Sequence, residues 1–337
     1  MAFTDLCRQS CSRASESDRC YRYFPCLADP ARRSSLCLRL VLVIMHLVYA
    51  GILFLFDKDL IEKTRREPWY TALYLLLFLA TLVQYFITAC SSPGYVIDAI
   101  KAVSLLANCN RDASKKNGSF VVIVDDPLRR NLLGSDSPWS KTVMDLHLPG
   151  TPTRNYICSY CNVDQPPRAK HCHDCDRCVL KFDHHCTWLG TCIGYSNHCR
   201  FWWYIFLESA LCLWTAFLYI NYLHINISQT WWKSAIMVAM LIFLLMSSIF
   251  LLLLLLFHSY LILTNQTTYE LIRRQRISYL SHVPRRVCPF NRGMCRNLYY
   301  FCCGGSSYLE RVPTPHELEE RSRPYTCWDA LTCRCCF

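Results

Sequence analysis

Charged residues are scarce in this chain of 337 residues. Asp, Glu, Lys and Arg together make up only 18% of the sequence, whereas 53% of it is hydrophobic. A typical soluble domain carries about 25% charged residues, so this composition argues against a soluble enzyme. The first 35 residues also lack the apolar core of a secretory signal peptide, and we therefore expect no cleaved leader.

The hydrophobic residues are concentrated in four blocks, at residues 36–56, 70–90, 201–223 and 235–263. Each block has about 20 residues or more, which is enough to cross a bilayer as a helix. A single block could be a helix buried in a large soluble core. Four blocks together favour an α-helical multi-pass membrane protein with four transmembrane helices.

Positive charge predicts the orientation of these helices. The net charge is +11, and the basic residues mostly flank the apolar blocks, which fits an anionic membrane surface better than nucleic acid. Arginines precede the first block and follow the fourth, whereas the loop between the third and fourth blocks has only Lys233. We therefore expect both termini and the central loop in the cytosol. The loop at residues 57–67 departs from this pattern, with four basic and four acidic residues.

The central loop carries a metal-binding pattern of cysteine and histidine. Two sets of three cysteines and one histidine are offset by fourteen residues: Cys158, Cys161, His171 and Cys178, then Cys172, Cys175, His185 and Cys192. Each set has the ligands of a closed tetrahedral zinc site, and two structural zinc ions are expected. The order of the residues predicts interleaved sites, with sequential pairing along the chain as the alternative. Zinc-type spacing among the 24 cysteines favours a reducing cytosol over an oxidising compartment.

One cysteine of this region is spare. A third repeat that used Cys186 as a ligand would need a cysteine where the chain has Leu189. His184 lies two residues before Cys186 and Asp183 precedes it. An imidazole can take the proton of a thiol, and a carboxylate can orient that imidazole. Cys186 is therefore a candidate nucleophile; the alternative is a substitute ligand or a packed thiol.

The sequence Asp183-His184-His185-Cys186 in this cysteine-rich frame resembles the DHHC family of protein S-acyltransferases, and plant members in particular. The resemblance covers most of the chain. Ser92-Pro93-Gly94 resembles the family's Asp-Pro-Gly motif, Thr267-Thr268-Tyr269-Glu270 resembles its Thr-Thr-x-Glu motif, and Asn297 matches an asparagine of its C-terminal segment. The chain departs from the family at Thr187, usually proline, at Ser92, usually aspartate, and at Gly190-Thr191, usually two asparagines.

The resemblance implies a palmitoyltransferase. It would move a long-chain acyl group from palmitoyl-CoA to cytosolic cysteines of membrane-associated proteins through an acyl-Cys186 intermediate. His184 would be the general base and Asp183 its orienting partner, with Thr267, Thr268, Glu270 and Asn297 as supporting motif residues. The expected partners are acyl-CoA, protein substrates and the bilayer, without nucleic acid. The expected location is an endomembrane, either Golgi or vacuolar.

These expectations divide the chain into six parts. They are a cytosolic N-terminal segment (1–35), transmembrane helices 1 and 2 (36–90), a cytosolic linker (91–154), the cysteine-rich zinc domain (155–199), transmembrane helices 3 and 4 (200–263) and a cytosolic tail (264–337). Within the linker, residues 101–150 are predicted to be largely irregular because glycine and proline recur there.

Three further points stay open at the level of sequence. A zinc-stabilised adaptor without catalysis is the alternative function, although it leaves the Cys186, His184 and Asp183 trio without a purpose. Arg168, Lys170 and Lys181 are expected to be solvated surface charges, with contact to CoA phosphates as the alternative. Cys302 and Cys303, like the cysteines at 333, 335 and 336, are either acylated or free cytosolic thiols. No role is assigned to the histidines at 46, 224 and 258.

Overall fold

The structure is a computed structural model that describes residues 30–114, 137–152, 156–226, 231–281, 283–285, 287–303 and 309–322. Most of the expected N-terminal segment and the cysteines at 333–336 lie outside these residues. The helices are α1 (Pro30–Phe56), α2 (Lys58–Arg66), α3 (Pro68–Cys90), α4 (Val96–Ser114), α5 (Pro138–Leu146), α6 (His198–Asn226), α7 (Trp231–Thr264), α8 (Thr268–Arg273), α9 (Met294–Cys303) and α10 (Pro315–Ser322), and the strands are β1 (Lys170–Cys172), β2 (Arg177–Val179), β3 (His184–Cys186) and β4 (Thr191–Ile193).

Within the described ranges, four helices are long and apolar enough to cross a membrane. They are α1 from Ser34, α3, α6 and α7, so the four predicted blocks are confirmed as helices, with boundaries that differ by a few residues. Their apolar residues meet in a shared core that includes Leu53 of α1, Tyr74 of α3, Tyr219 of α6 and Met237 of α7. The chain is therefore a mostly helical membrane protein with a small cysteine-rich unit between the second and third spans.

Part of the segment between α3 and Cys158, the first of the predicted metal ligands, is more ordered than its composition predicts. Helices α4 and α5 occupy part of the segment that was expected to be irregular. Ile100 of α4 and Trp139 and Val143 of α5 are buried against Tyr156 and Leu180 of the cysteine-rich unit. The helices form because this surface covers their apolar sides, a tertiary effect that glycine and proline content does not reveal.

The cysteine-rich unit consists of two short antiparallel hairpins. Strand β1 pairs with β2, and β3 pairs with β4. The first hairpin is attached to the segment just after α3 by a backbone hydrogen bond from Leu180 N–H to the Gly94 carbonyl (2.8 Å). At its other end the unit continues into α6, where Asn197 donates to the Cys192 carbonyl (2.9 Å) and accepts from Gly194 N–H (2.9 Å). The second hairpin therefore lies directly over the end of the helical bundle.

The segment after α7 folds back onto the cysteine-rich unit. Thr267 caps α8 through a capping box, in which its hydroxyl accepts from Glu270 N–H and the Glu270 carboxylate accepts from Thr267 N–H. Thr267 and Glu270 have the spacing of a capping box, in which a Ser or Thr precedes a Glu by three residues. Further along, the Asn297 side chain of α9 donates to the carbonyl of Leu263 at the end of α7 (2.7 Å). The tail is thereby attached to the C-terminal end of the fourth span.

Candidate active site

The eight predicted ligands come together in two groups. Cys158, Cys161, His171 and Cys178 form one group, and Cys172, Cys175, His185 and Cys192 form the other. These are the interleaved sets, and the sequential alternative is not the arrangement that the fold adopts. The hairpins explain the pattern, because His171 stands opposite Cys178 on β1 and β2, and His185 stands opposite Cys192 on β3 and β4.

Both groups fit a zinc ion. Zn–S bonds of about 2.3 Å and Zn–N bonds of about 2.0–2.1 Å at tetrahedral angles require S···N separations of roughly 3.5 Å. In the second group the Nδ1 atom of His185 lies 3.4–3.6 Å from the three sulfurs. In the first group the Nδ1 atom of His171 lies 3.3 Å from Cys161 Sγ and 3.9 Å from Cys178 Sγ. Four protein donors per group leave no position for a metal-bound water.

Cys186 belongs to neither group. It ends strand β3, partly buried, and packs against a hydrophobic cluster to which all four spans contribute. We call this the apical cluster; its members include Leu42 of α1, Tyr85 of α3, Phe201 of α6 and Leu254 of α7. The thiol therefore sits where the cysteine-rich unit meets the apolar interior of the helical bundle.

The side chains before Cys186 form a hydrogen-bonded chain. His184 Nδ1 lies 2.6 Å from Asp183 Oδ2, and Asp183 is 1% exposed. Thr268 of α8 holds the same carboxylate twice, with its N–H to Oδ1 (2.7 Å) and its hydroxyl to Oδ2 (2.8 Å). A buried carboxylate with these donors orients the imidazole and fixes which nitrogen carries the proton toward it.

The surroundings of this pair make His184 a strong base. Burial opposes its charged form, but hydrogen bonds with Asp183 and Cys186 outweigh burial and raise the pKa of His184 to about 9. Burial likewise opposes ionisation of Asp183, yet the hydrogen bond from His184 and the neighbouring imidazoles hold the pKa of that carboxyl well below its usual range. The arrangement therefore favours an ionised carboxylate and an imidazole that accepts a proton from a thiol.

Two histidines that were assigned no role from the sequence lie close to the Asp183 carboxylate. His198 at the start of α6 and His258 of α7 are buried, with 3.4 Å between His198 Nε2 and His258 Nδ1. The ring of His258 lies 5.9 Å from that of His184 and packs edge-on against Phe201. His258 comes 75 residues after Asp183, so no local spacing marked it, and His198, 15 residues after Asp183, belongs to neither predicted ligand set.

A second missed pair lies deeper between the spans. His46 Nε2 of α1 lies 2.9 Å from Glu208 Oε1 of α6 in the bundle interior. They line a cavity of about 90 Å³ together with Tyr49, Tyr74 and Leu251. Leu251 also packs in the apical cluster, so the cavity lies below the thiol. Ionisable residues within membrane spans usually mark functional positions.

Arg168 is not a surface charge, and the expectation for it is wrong. It is 4% exposed and forms ion pairs with Glu270 (2.7 Å) and Glu310. Its guanidinium also donates to the Asn265 carbonyl (3.0 Å) and covers the Phe290 ring at 4.3 Å. Burial of an unpaired arginine would cost too much free energy, so Arg168 can be buried only because the two glutamates that follow α7 pair with it. All its groups are occupied within the protein.

Lys181 and Lys170 have different surroundings. Lys181 donates to Asn265 Oδ1 (2.9 Å) and lines a cavity of about 460 Å³ with His198 and Arg200. Burial lowers the pKa of Lys181 to about 8. Lys170 lies over the Tyr269 ring at 4.9 Å. Lys181 thus lines the cavity that contains His198, whereas Arg168 and Lys170 line a different cavity of about 400 Å³ beside His171.

Comparison with known proteins agrees with this arrangement. A family model described as DHHC palmitoyltransferase matches residues 151–275. Protein S-acyltransferase 10 of Arabidopsis thaliana is 58% identical over 327 residues, which is 95% of this chain and 96% of the relative. Palmitoyltransferase ZDHHC12 of Homo sapiens is 33% identical over 278 residues, which is 81% of this chain and 90% of that protein. The matched segment contains both ligand groups, Cys186 and the Thr267–Glu270 motif.

Proposed function

The chain belongs to the DHHC palmitoyltransferase family, and from this premise we propose that Cys186 is the nucleophile of its acyl transfer. The protein is a plant-type protein S-acyltransferase, an enzyme with four membrane-capable helices. The observation that carries the assignment of Cys186 is its position: a thiol outside both ligand groups, above a cluster formed by all four spans, beside a hydrogen-bonded His184 and Asp183. The remaining residue roles and the location below are part of the same proposal.

The first step forms an acyl-enzyme. His184 takes the thiol proton of Cys186, and the thiolate attacks the thioester carbonyl of palmitoyl-CoA. The bond between the carbonyl carbon and the CoA sulfur breaks, and the CoA thiolate leaves with the proton from His184. Asp183 does not touch the substrate; it is a positioning residue that holds His184 and stabilises its charged form.

The second step transfers the acyl group to the protein substrate. His184 takes the proton of a substrate cysteine, whose thiolate attacks the acyl-Cys186 carbonyl. Cys186 leaves as a thiolate and regains a proton from His184, which restores the starting state. Substrates would be membrane-associated proteins with cytosolic cysteines, because Cys186 lies at the end of the bundle and not within it.

The acyl chain would occupy the apolar interior of the bundle below Cys186. Leu42, Tyr85, Phe201 and Leu254 supply apolar surface from each span at the level of the thiol. Lys181 and Arg200, at the cavity beside the site, supply positive charge that could meet phosphate groups of CoA in the aqueous phase. Palmitoyl-CoA could therefore bind at the membrane boundary, with its acyl chain in the apolar bundle and its CoA group in water.

The two ligand groups would hold structural zinc ions. The site nearer the thiol contains His185 and Cys192, which flank Cys186 on either side in sequence. Metal bound there would fix the second hairpin, so that Asp183, His184 and Cys186 keep their relative positions. Each zinc ion would cross-link four protein ligands and would have no open coordination position for a water or a substrate.

We assign the protein to a Golgi or vacuolar membrane, with both termini in the cytosol. The excess of Lys and Arg before α1 and after α7 supports this orientation. Fluorescent tagging with Golgi and vacuolar markers tests the compartment.

A labelling experiment tests the nucleophile. Purified protein is incubated with a labelled long-chain acyl-CoA, and the hydroxylamine-sensitive adduct is measured. Cys186→Ser is expected to lose the adduct and to keep its zinc, whereas Cys90→Ser, which changes an exposed cysteine at the end of α3, is expected to retain both. An adduct of wild-type yield in Cys186→Ser would show that another thiol is acylated first.

A further inference from the structure

The short turn that follows Cys186 is held by two transmembrane helices. The turn itself is closed by a hydrogen bond from Gly190 N–H to the Cys186 carbonyl (2.8 Å). From α3, the Tyr85 hydroxyl donates to the carbonyl of Trp188 (2.8 Å). From α1, Arg39 Nη2 donates to the carbonyl of Leu189 (2.7 Å). Two consecutive carbonyls of the turn therefore depend on side chains of different spans.

Helix α1 approaches this turn very closely, and Gly190 makes the approach possible. A Cβ atom on Gly190 would lie 1.7 Å from Ser35 Oγ and 2.6 Å from Ser35 Cβ. Gly190 also has a φ of +64°, a conformation that asparagine tolerates. Asparagine could adopt the backbone conformation at this position, but its Cβ atom would collide with Ser35. The glycine is therefore required by the packing of α1, which explains this departure from the family pattern.

The contact from Arg39 has no substitute among the described residues. Arg39 Nη2 also points toward the carbonyl of Ala89 at 3.5 Å, so one guanidinium joins the end of α3 to the turn. Helix α1 packs loosely elsewhere, since only 6% of the residues in its most apolar stretch are buried, against 56% for α6. Without Arg39 the Leu189 carbonyl would lose its donor in a buried setting, since Leu189 is 0% exposed.

We propose that Arg39 is a positioning residue for acyl transfer. It fixes the Leu189 carbonyl and thereby the turn at 186–190, so that the Cys186 thiol is presented to the thioester above the apical cluster. The guanidinium is suited to this work because it offers several donors in a fixed plane and stays charged near an apolar environment. The proposal rests on the proposed role of Cys186 as the nucleophile.

Substitution of Arg39 tests the proposal by separating rate from binding. In Arg39→Gln, the single-turnover rate of Cys186 acylation is expected to fall about tenfold or more, because a charge-assisted hydrogen bond to the turn is lost. The KM for palmitoyl-CoA and the zinc content are expected to stay at wild-type values. Arg39→Lys keeps a charged donor and is expected to recover part of the rate. Acylation of Arg39→Gln at the wild-type rate would overturn the proposal.

A second pair of variants tests the contact between α1 and the turn directly. Gly190→Asn is expected to slow acylation because its Cβ collides with Ser35, and the double variant Ser35→Gly/Gly190→Asn is expected to regain activity. Gly150→Asn is the matched control, since Gly150 also has a positive φ (+81°) and open space around the added Cβ. The proposal fails if Gly190→Asn is tolerated as well as Gly150→Asn, or if removal of Ser35 gives no recovery.

The outcomes remain distinguishable from failure of the proposed function. If Arg39→Gln loses zinc, the glycine variants decide, because they leave the arginine in place. If the adduct survives in Cys186→Ser, the assignment of the nucleophile is wrong whatever Arg39 does. If Cys186→Ser abolishes the adduct while the Arg39 and Gly190 variants behave as wild type, the nucleophile stands and the positioning role is refuted.

Discussion

At the scale of single residues, a repeat explains why Cys186 is spare. Cys172 ends β1 and belongs to the second group of predicted ligands, and Cys186 ends β3 at the equivalent place fourteen residues later. The described residues after β4 form no third hairpin that would supply partners, and the thiol packs against the apical cluster. Counting the residues of the two ligand sets in the sequence predicted that Cys186 belongs to neither set. The hydrogen bonds from Thr268, which comes 85 residues after Asp183, required the folded chain.

Thr268 provides a test at this scale. Thr268→Val removes the hydroxyl donor to Asp183 and keeps the backbone donor, so His184 is oriented less firmly. The rate of Cys186 acylation is expected to fall roughly tenfold, the equivalent of about 1.4 kcal/mol. Thr142→Val on α5 is the control, because that hydroxyl bonds only a carbonyl of its own helix. Equal rates for both variants would remove Thr268 from the site.

At the scale of elements, the sequence predicted the spans and the ligand sets well. Span length and ligand spacing are local properties of the chain, set by bilayer thickness and by the geometry of one metal ion. The sequence predicted α4 and α5 poorly. Their apolar residues, such as Ile100 and Trp139, bury against the cysteine-rich unit, and this partner surface exists only after folding.

Zinc content distinguishes a predicted ligand on the first hairpin, Cys178, from the proposed nucleophile on the second, Cys186. Cys178→Ser removes a ligand of the first group and is expected to lower the zinc content from two ions per molecule to about one or fewer. Cys186→Ser is expected to keep both ions. Metal analysis of the purified variants measures the difference. Full zinc content in Cys178→Ser would contradict the interleaved assignment.

At the scale of the whole molecule, Arg168 joins the cysteine-rich unit to the tail. It is paired with Glu270, and with Glu310, which lies 142 residues later in the chain. Arg168→Met removes the buried guanidinium from both carboxylates, so that Glu270 keeps only neutral donors such as Thr267 N–H (3.0 Å) and Glu310 keeps its pair with the half-buried Arg292 (3.2 Å). The expected cost is roughly 3–5 kcal/mol in the free energy of unfolding. Thermal unfolding in detergent should show it as a lower midpoint.

The control for this variant is Lys170→Met. Lys170 stands two residues away and lies over an aromatic ring, without a salt bridge among the described residues. Its replacement is expected to change the unfolding midpoint little. A midpoint for Arg168→Met that matches that of Lys170→Met would show that the buried pairs do not hold the tail.

Orientation in the membrane is a second property of the whole molecule. Because Lys and Arg are enriched before α1 and after α7, tags on both termini are expected to be cleaved by protease added to intact microsomes. A glycosylation tag inserted between α6 and α7 is expected to be modified in the lumen. Protection of both tags would place the first loop with its four basic residues in the cytosol instead, because four spans leave both termini on the same side.

The sequence by itself determined the class of protein, the four spans, the two ligand sets and the spare thiol. These follow from composition and from short spacings, which report local geometry. Only the tertiary structure decided what surrounds that thiol: Thr268 on Asp183, the His46–Glu208 pair in the bundle, and Arg39 on the carbonyl of Leu189, 150 residues away. Such contacts join distant segments, and they arise because buried polar groups must find partners wherever packing brings the chain together.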